Sequence, residues 1–594
     1  MRNNVMDYLD EIVRKVPEKL AFSNGTEGMT FAEVDLESKA VGTWLHNRKV
    51  YREPVVVFMN KHPKEVTAFF GVVRGGCFYV PIDEEMPRAR IDLILENLKP
   101  RVILCDDGTA EVAKTFACVS GVEAAEDASG AACASAGQKS EDVSGAACVL
   151  EERKSKAVRV SGGWASEDAS GTACASGGQK AEKISGAACA SGEQRTAEIV
   201  RYDEICRTEA DEAALWEIHE KAIDTDPIYV VFTSGSTGVP KGVAACHRSV
   251  LDYVEQLSEV LEFGEDTVYG NQTPLYFDAC LKELYPTLKF GATTYLIPKE
   301  LFLMPVKLVE FLNEYRINTV CWVVSALTMI SAFNTFQTIV PQYLRTVAFG
   351  SEVFPIRQFR RWREALPEAK FTNLYGPTEG TGMCCYFKVE RDFALEEAIP
   401  IGRPFKNTEI LLIKEDQTPA GPGETGEICI RGTSLTLGYY NNFEKTNEVF
   451  VQNPLNTAYP ELIYRTGDLG RYNDRGELVF VSRKDYQIKH MGHRIELGEI
   501  EANVNVLEGV KTAGCIYDGQ KGKIVLYYVG ETEEKELVSL LKDRLPRYML
   551  PNYTRRLEQM PFTANGKIDR VALAAMHREK QGQAEGGAAG SLQK

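Results

Sequence analysis

The sequence predicts an α/β protein, built mostly of parallel sheet with helices on both faces, and three observations carry that prediction. Short apolar runs such as "PVVVFMN" (54–60), "RVILC" (101–105) and "IYVVFT" (228–233) have the length and β-branched content of strands buried on both sides. The stretch "HRSVLDYVEQLSEVL" (247–261) instead has a helical period, with Val250, Val254, Leu257 and Leu261 on one face. Strand-like and helix-like segments alternate along the chain, the pattern of a parallel sheet covered on both sides.

Taken in order, the elements fall into two ordinary flanks around an unusual middle. The first residues, "MRNNVMDYLDEIVRKV", mix charged and apolar positions as a surface helix does. They lack the basic-then-apolar build of a leader, and no apolar run reaches the roughly 18 residues that span a bilayer. The expected location is the cytoplasm. A length of 594 residues predicts two to four structural units, and 44% hydrophobic with 26% charged residues is ample for a core. The formal charge of −16 argues against a nucleic-acid or anionic-membrane surface, where Lys and Arg must dominate. Fifteen cysteines without CxxC pairs suit neither a disulfide framework nor a zinc site, and are expected to be buried or reduced thiols.

Between about 118 and 198 the composition changes. "AEDASGAACASAGQKSEDVSGAAC" (125–148) returns as "SEDASGTACASGGQKAEKISGAAC" (166–189), with Cys133 and Cys148 spaced as Cys174 and Cys189 are. Ala, Ser and Gly without large apolar residues cannot offset the entropy of ordering, so this insert is expected to be disordered, with metal or redox sensing by its cysteines as the alternative. The end, "QGQAEGGAAGSLQK", reads as a flexible tail.

The second flank opens on the chemistry. After the strand of residues 229–232 come Thr233, Ser234, Gly235, Ser236, Thr237 and Gly238, and then Lys241. Glycines let successive N–H groups point into one concavity, hydroxyls add donors, and a lysine adds a mobile charge, the set that phosphate oxygens need. The spacing is not that of Walker A, since Pro240 stands five residues after Gly235 and Lys241 precedes Gly242.

With this loop and seven further motifs in order, the chain resembles the ANL superfamily of adenylate-forming enzymes. Within it, the chain resembles the amino-acid adenylation domains of nonribosomal peptide synthetases and the D-alanine–carrier protein ligases. The motifs are "GGCFYVPIDEEMPRARI" (75–91), "LYGPTEG" (374–380), "GETGEICIRG" (423–432), "YRTGDLGRY" (464–472), "RKDYQIKHMGHRIELGEIE" (483–501), "LPRYMLP" (545–551) and "NGKIDR" (565–570). The resemblance covers nearly the whole chain except the insert. It implies a large N-terminal AMP-binding domain of stacked mixed sheets and helices (1–482), a small mobile α+β lid (483–575) and a tail (576–594).

It also implies a two-step reaction: a carboxylate attacks the α-phosphate of ATP and releases pyrophosphate, and a thiol then takes the acyl group and releases AMP. The glycine-rich loop and Lys241 hold the outer phosphates. In "NLYGPTEG", which runs Asn373, Leu374, Tyr375, Gly376, Pro377, Thr378 and on, Tyr375 stacks on the base, Thr378 meets the α-phosphate and Glu379 binds Mg²⁺, a hard cation suited to a carboxylate. Asp468 accepts from both ribose hydroxyls, with Arg483 beside it. The chain departs from its relatives in having Ser482 where they often have Gly. Lys567 bridges the substrate carboxylate and the α-phosphate during adenylation. A rotation at Asp485 then exchanges Lys567 for the segment carrying Gly492, which lets a thiol arm pass.

In "YFDACLKELYP" (276–286), Asp278 matches the acid that pairs with a substrate α-ammonium, with a helix N-cap as the lesser reading, which does not exclude that role. The matching side-chain pocket comprises Ala279, Lys282, Trp322, Gly350, Leu374, Gly382 and Met383. Related D-alanine ligases carry a cysteine near the substrate Cα where this chain has Gly350. Lys282, one turn after Asp278, either reaches a polar or acidic substrate or pairs with Asp278 itself. The expected function is therefore ATP- and Mg²⁺-dependent activation of an amino acid, D-alanine or a polar or acidic one. Because no carrier motif follows residue 570, the expected thiol is that of a separate phosphopantetheinylated carrier protein. The rival expectations are an acyl- or aryl-CoA synthetase, or an inactive relative acting as a binding module.

Overall fold

The structure is a computed structural model that describes residues 2–116, 197–235, 238–563 and 568–591. The repeat insert, Ser236, Thr237 and Lys567 lie outside the described residues. Residues 1–120 and 195–594 group into one unit.

Three sheets and a C-terminal module make up this unit. The three apolar runs become the strands Pro54–Phe58, Val102–Cys105 and Pro227–Thr233 of a seven-stranded sheet, with Phe78–Pro81 between the first and the last. The strand pairs from Pro227–Thr233 out to Glu198–Arg201 are parallel, and Lys241–Cys246 turns back antiparallel beside Pro227–Thr233. A nine-stranded sheet holds Lys370–Tyr375, Thr346–Gly350, Thr319–Val323, Val268–Asn271 and Thr293–Leu296 side by side and parallel. A smaller antiparallel sheet follows, in which Leu462–Tyr472 pairs with Leu478–Arg483 and places Asp468 opposite Arg483.

The helix His247–Leu261 forms where the spacing predicts it, and Val250, Val254 and Leu257 are fully buried in the core it shares with the seven-stranded sheet. Its C-terminal Glu262 closes the last turn in the left-handed region. The amino-terminal segment is less exposed than a surface helix: Val5, Met6, Tyr8, Leu9 and Ile12 are all buried around the short helix Asp7–Ile12.

Beyond Arg483 the chain builds the hairpin Gln487–His490 with His493–Glu496, the helix Leu497–Asn505 and the sheet Val510–Asp518, Lys523–Gly530 and Tyr553–Arg556. These elements have their own core around Ile500, Val504, Leu526 and Leu541. The stretch read as a flexible tail differs: the helix Arg570–Ser591 runs through it, because Ala, Arg, Glu, Lys and Gln favour helix strongly enough to outweigh its glycines. Leu573 anchors that helix against Ile516, Val525 and Tyr527. The ten cysteines among the described residues are free thiols, nine of them buried. No helix among the described residues is long and apolar enough to cross a membrane.

Candidate active site

A cavity of about 100 Å³ opens at the C-terminal ends of the parallel strands, the edge where open α/β sheets receive ligands. Its walls come from the residues that end or follow those strands: Thr233 and Ser234, Gln272 and Thr273, Val323, Ser351, and Gly376 to Thr378. Asp278, Ala279, Gly382, Met383, Asp468 and Arg483 line the same cavity. Its remaining wall is the C-terminal module, through Gln487, Lys489, Met491, Gly492, His493, Arg494 and Tyr548.

The phosphate-type loop starts as the sequence predicts. A Cβ at Gly235 would lie 1.9 Å from the Val239 carbonyl oxygen, so the turn admits only glycine there. The Gly238 N–H closes the turn on the Gly235 carbonyl at 3.0 Å. The donors of Ser234 and Gly235 are engaged by the C-terminal module. The Gly235 N–H donates to Glu499 Oε2 at 3.1 Å, and the Ser234 hydroxyl donates to the Arg494 carbonyl at 2.8 Å while accepting from the Glu496 N–H at 3.2 Å. Lys241 Nζ stands 3.9 Å from Glu496 Oε1 and lies over the Tyr439 ring. Burial lowers its pKa, and the Arg494 guanidinium adds to the effect.

Glu379 is fully buried. Its Oε2 accepts from Arg494 Nη1 at 2.7 Å and its Oε1 from the Tyr439 hydroxyl at 2.7 Å. Burial pushes its carboxyl up, but Arg494 and Lys241 outweigh burial and hold it at about 2. A lone carboxylate is the right donor type for Mg²⁺. In this arrangement the residues nevertheless do not fit that ion, since both oxygens are taken and a guanidinium stands where the metal would bind. Among the described residues no group of three His, Cys, Asp or Glu side chains converges to hold a metal.

At the other end, Tyr375 donates its hydroxyl to Asp468 Oδ2 at 2.5 Å, and Arg483 Nη1 donates to Asp468 Oδ1 at 2.6 Å. Arg483 also forks onto Asp485, which in turn accepts the Gln487 N–H. The predicted ribose acid, its arginine and the predicted hinge thus form one hydrogen-bonded chain. Lys489 Nζ lies 5.5 Å from the centre of the Tyr375 ring. Its ammonium is destabilised by burial, with Asp468 acting against that effect.

Asp278 is partly buried in the cavity wall and does not cap a helix. The short 3₁₀ turn it begins is preceded by Phe277, which makes no side-chain cap bond, and the helix Leu281–Phe290 lacks one too. Burial raises the Asp278 pKa, and Lys282, the Thr378 hydroxyl and the Gly382 N–H draw it back. An added cation would therefore be welcome beside it.

The remaining predicted pocket residues lie elsewhere. Lys282 is buried next to Asp278 but does not line the cavity. Trp322 is fully buried and donates its indole N–H to the Gly270 carbonyl at 2.7 Å. Gly350 abuts the Leu374 carbonyl, where a Cβ would come within 2.4 Å. Asn373 donates to the Pro400 carbonyl at 2.8 Å and so holds a loop. Residues that the sequence reading left without a role are Lys489, Arg494, Glu499 and Glu352. Glu352 accepts the Gly492 N–H at 2.9 Å and the Ser325 N–H at 2.8 Å. The first three lie inside a motif already quoted, so only their roles were hidden.

Comparison with known proteins agrees with this geometry. The family model described as AMP-binding enzyme matches residues 9–440. Tyrocidine synthase 1 of Brevibacillus parabrevis is 27% identical over 576 residues, covering 96% of this chain and 45% of that protein. Tyrocidine synthase 3 of the same organism is 37% identical over 358 residues, covering 59% of this chain and 5% of that protein. The chain therefore spans less than half the length of these curated relatives. Among solved structures, the Vibrio cholerae adenylation domain AlmE in complex with glycyl-adenosine-5′-phosphate has a TM-score of 0.73 at 19% identity, covering 97% of this chain and 98% of that one. The fused adenylation–PCP di-domain NpsA–ThdA from Klebsiella oxytoca has a TM-score of 0.69 at 19% identity, with 93% of each chain covered. From the span of the family match and the motifs that converge on one cavity, the chain belongs to the AMP-binding enzymes of the ANL superfamily.

Proposed function

We propose that this protein activates a small amino acid as its aminoacyl adenylate and passes it to the phosphopantetheine thiol of a carrier protein. The observation that carries this reading is the position of Asp278. Its carboxylate lines the same cavity as Thr378, Asp468 and Arg483, so an amine held there puts the neighbouring carboxylate beside the nucleotide. In the first step a carboxylate oxygen bonds to the α-phosphorus of ATP and the bond to pyrophosphate breaks. In the second a thiol sulfur bonds to the acyl carbon, the bond to AMP breaks, and the thiol proton leaves to solvent. Asp278 orients the amine, Thr378 and the loop from Thr233 to Gly238 receive phosphate, and Asp468 with Arg483 and Tyr375 receives the nucleoside. Mg²⁺ and Lys567 belong to the adenylating arrangement of the lid. Carrier partnership is supported by the artificially fused NpsA–ThdA structure, which joins an adenylation domain to a PCP.

The substrate's side chain is read as small and uncharged. The cavity that Asp278 lines is also lined by Phe277, Ala279, Val323, Gly382 and Met383, and Lys282, the lysine that favoured an acidic substrate, is buried and does not line it. D-Alanine fits this description, as do glycine and L-alanine. The test is ATP–pyrophosphate exchange across an amino-acid panel. Exchange is expected with small neutral amino acids, and Asp278→Ala should lower it by about 10²-fold, the scale of losing a buried ion pair. Unchanged exchange after that substitution, or activity with simple fatty or aryl acids alone, turns the assignment to an acyl-CoA synthetase.

A further inference from the structure

Of the described residues that line the cavity, only Met491 is exposed, so the cavity meets solvent beside it. Met491 and Gly492 form the two-residue turn between the strands Gln487–His490 and His493–Glu496, with φ of 53° and 81°. A hairpin turn with both central residues left-handed favours Asn, Asp or Gly at its first position. Methionine is in a conformation that disfavours side chains there, and the turn holds it 60% exposed in water. Across the mouth, Glu352 accepts the Gly492 N–H, and the next residue, Val353, is likewise 60% exposed. Two exposed apolar side chains, one from the module and one from the large domain, therefore flank the opening.

Three residues beyond Val353 begins the helix Ile356–Ala365, whose inner face, Ile356, Phe359 and Trp362, is buried. Its outer face carries Arg357, Arg360 and Arg361, all exposed, at the i, i+3, i+4 spacing of one stripe. Arg360 donates to the Phe393 carbonyl and Arg361 to the Ser331 carbonyl, each at 2.6 Å, so the backbone fixes both guanidiniums without neutralising them. Among the described residues no carboxylate lies within ion-pair distance of any of the three. Such a stripe is unexpected on a chain of net charge −16. Charges more than about 10 Å away are largely screened at 0.1 M salt, so an approaching surface senses the stripe before the net charge.

From this juxtaposition we infer that Val353, Met491 and the stripe of Arg357, Arg360 and Arg361 form the docking face for the carrier protein, whose own face is acidic around its phosphopantetheine. The inference rests on the proposed function, in which a thiol arm tethered to a protein enters the cavity. The arm enters where the cavity opens, which sets its carrier over Met491 and Val353. Arg357 follows Val353 by four residues and lies no more than about 14 Å from it. An interface of about 800 Å² per partner reaches about 16 Å from its centre, enough to take in the start of the stripe. An apolar centre with a charged rim is the usual build of such an interface. The phosphodiester that joins the arm to its carrier adds a further negative charge for the arginines to meet.

Transfer kinetics of the full-length protein test the docking face with two acceptors. One is free pantetheine; the other is the best acceptor among a panel of phosphopantetheinylated carriers that includes the PCP of NpsA–ThdA. In Arg357→Glu/Arg360→Glu the KM for the carrier is expected to rise about tenfold, with kcat and the KM for free pantetheine unchanged. Raising salt from about 0.05 M to about 0.3 M should raise the native carrier KM several-fold and leave that of the variant nearly flat. Arg357→Glu alone removes no side-chain hydrogen bond, and should raise the carrier KM about threefold even if the double variant folds poorly. A native carrier KM in the folded reversal variants, or a panel in which no carrier outperforms free pantetheine at equal concentration, overturns the inference. It falls equally if the reversal changes the sedimentation of the protein alone, since the stripe then belongs to a contact between copies of this chain. The proposed function fails on a different readout, if no amino acid supports ATP–pyrophosphate exchange, a reaction in which no carrier takes part.

Discussion

The carboxyl of Glu379 is fully buried yet held at about 2, because Arg494 and Lys241 act on it more strongly than burial does. Its folded-state value lies below the ordinary 4.5, so the ionised form stabilises the structure above that pH, and the stabilisation is lost as pH falls from there toward about 2. The linkage is on the order of 3 kcal/mol. Glu379→Gln should be less stable than the native protein by about 3–5 kcal/mol near neutral pH, since it leaves Arg494 buried without its partner. The gap should narrow as pH falls from about 4.5 toward about 2, the span in which the unfolded chain's Glu379 takes up a proton and the native one does not. Urea unfolding at several pH values measures this, and a gap that stays constant contradicts the assignment. Much of the site at this scale was legible, because Thr378, Asp468, Arg483 and Asp278 lie in motifs and all reach the cavity. Lys282, Trp322 and Gly350 match the pocket in sequence but not in place. Which way a side chain leaves its helix or strand depends on packing from segments far along the chain, as with Trp322 bonded to Gly270.

At the scale of elements, helix His247–Leu261 shows why the fold was readable. Its period-3.6 apolar face is the face that packs, so Leu257 is fully buried while Glu259, one turn-face away, pairs with Lys406 in solvent. Leu257→Ala is expected to cost about 2–5 kcal/mol by leaving a cavity in a dense core. Glu259→Ala should stay within about 0.5 kcal/mol, as exposed ion pairs do. Chemical denaturation of both variants checks the contrast, and equal losses would mean that the face is misassigned. The strands were equally readable from their apolar runs, but not their neighbours. Nothing local says that Thr319–Val323 lies between Val268–Asn271 and Thr346–Gly350, since pairing order is set by crossovers of many residues. The helix Arg570–Ser591 was missed for the opposite reason, because its Gly-rich end masks an otherwise strong helical composition.

Across the whole molecule, the C-terminal module is seated on the cavity through one set of contacts. It presents Lys489, Gly492 and His493 to the cavity, while Ile568 packs on the module's own sheet beside Ile516 and Leu573. Gly492 seats closely against the large domain. Its φ of 81° suits glycine, its N–H is held by Glu352, and a Cβ there would lie 2.6 Å from Val323 Cγ1. Gly492→Ala therefore strains both the turn and the interface in this orientation. If the adenylating orientation carries the module elsewhere, the substitution has no clash to make there. Under the proposed function, transfer of a preformed aminoacyl adenylate to a pantetheine thiol should fall by about tenfold or more, and ATP–pyrophosphate exchange by far less, because only one of two lid states is penalised. Single-turnover transfer measured beside exchange on the same preparation separates the two. Equal losses in both would mean that a single orientation serves both half-reactions, and the exchange of Lys567 for the Gly492 segment would have to be abandoned.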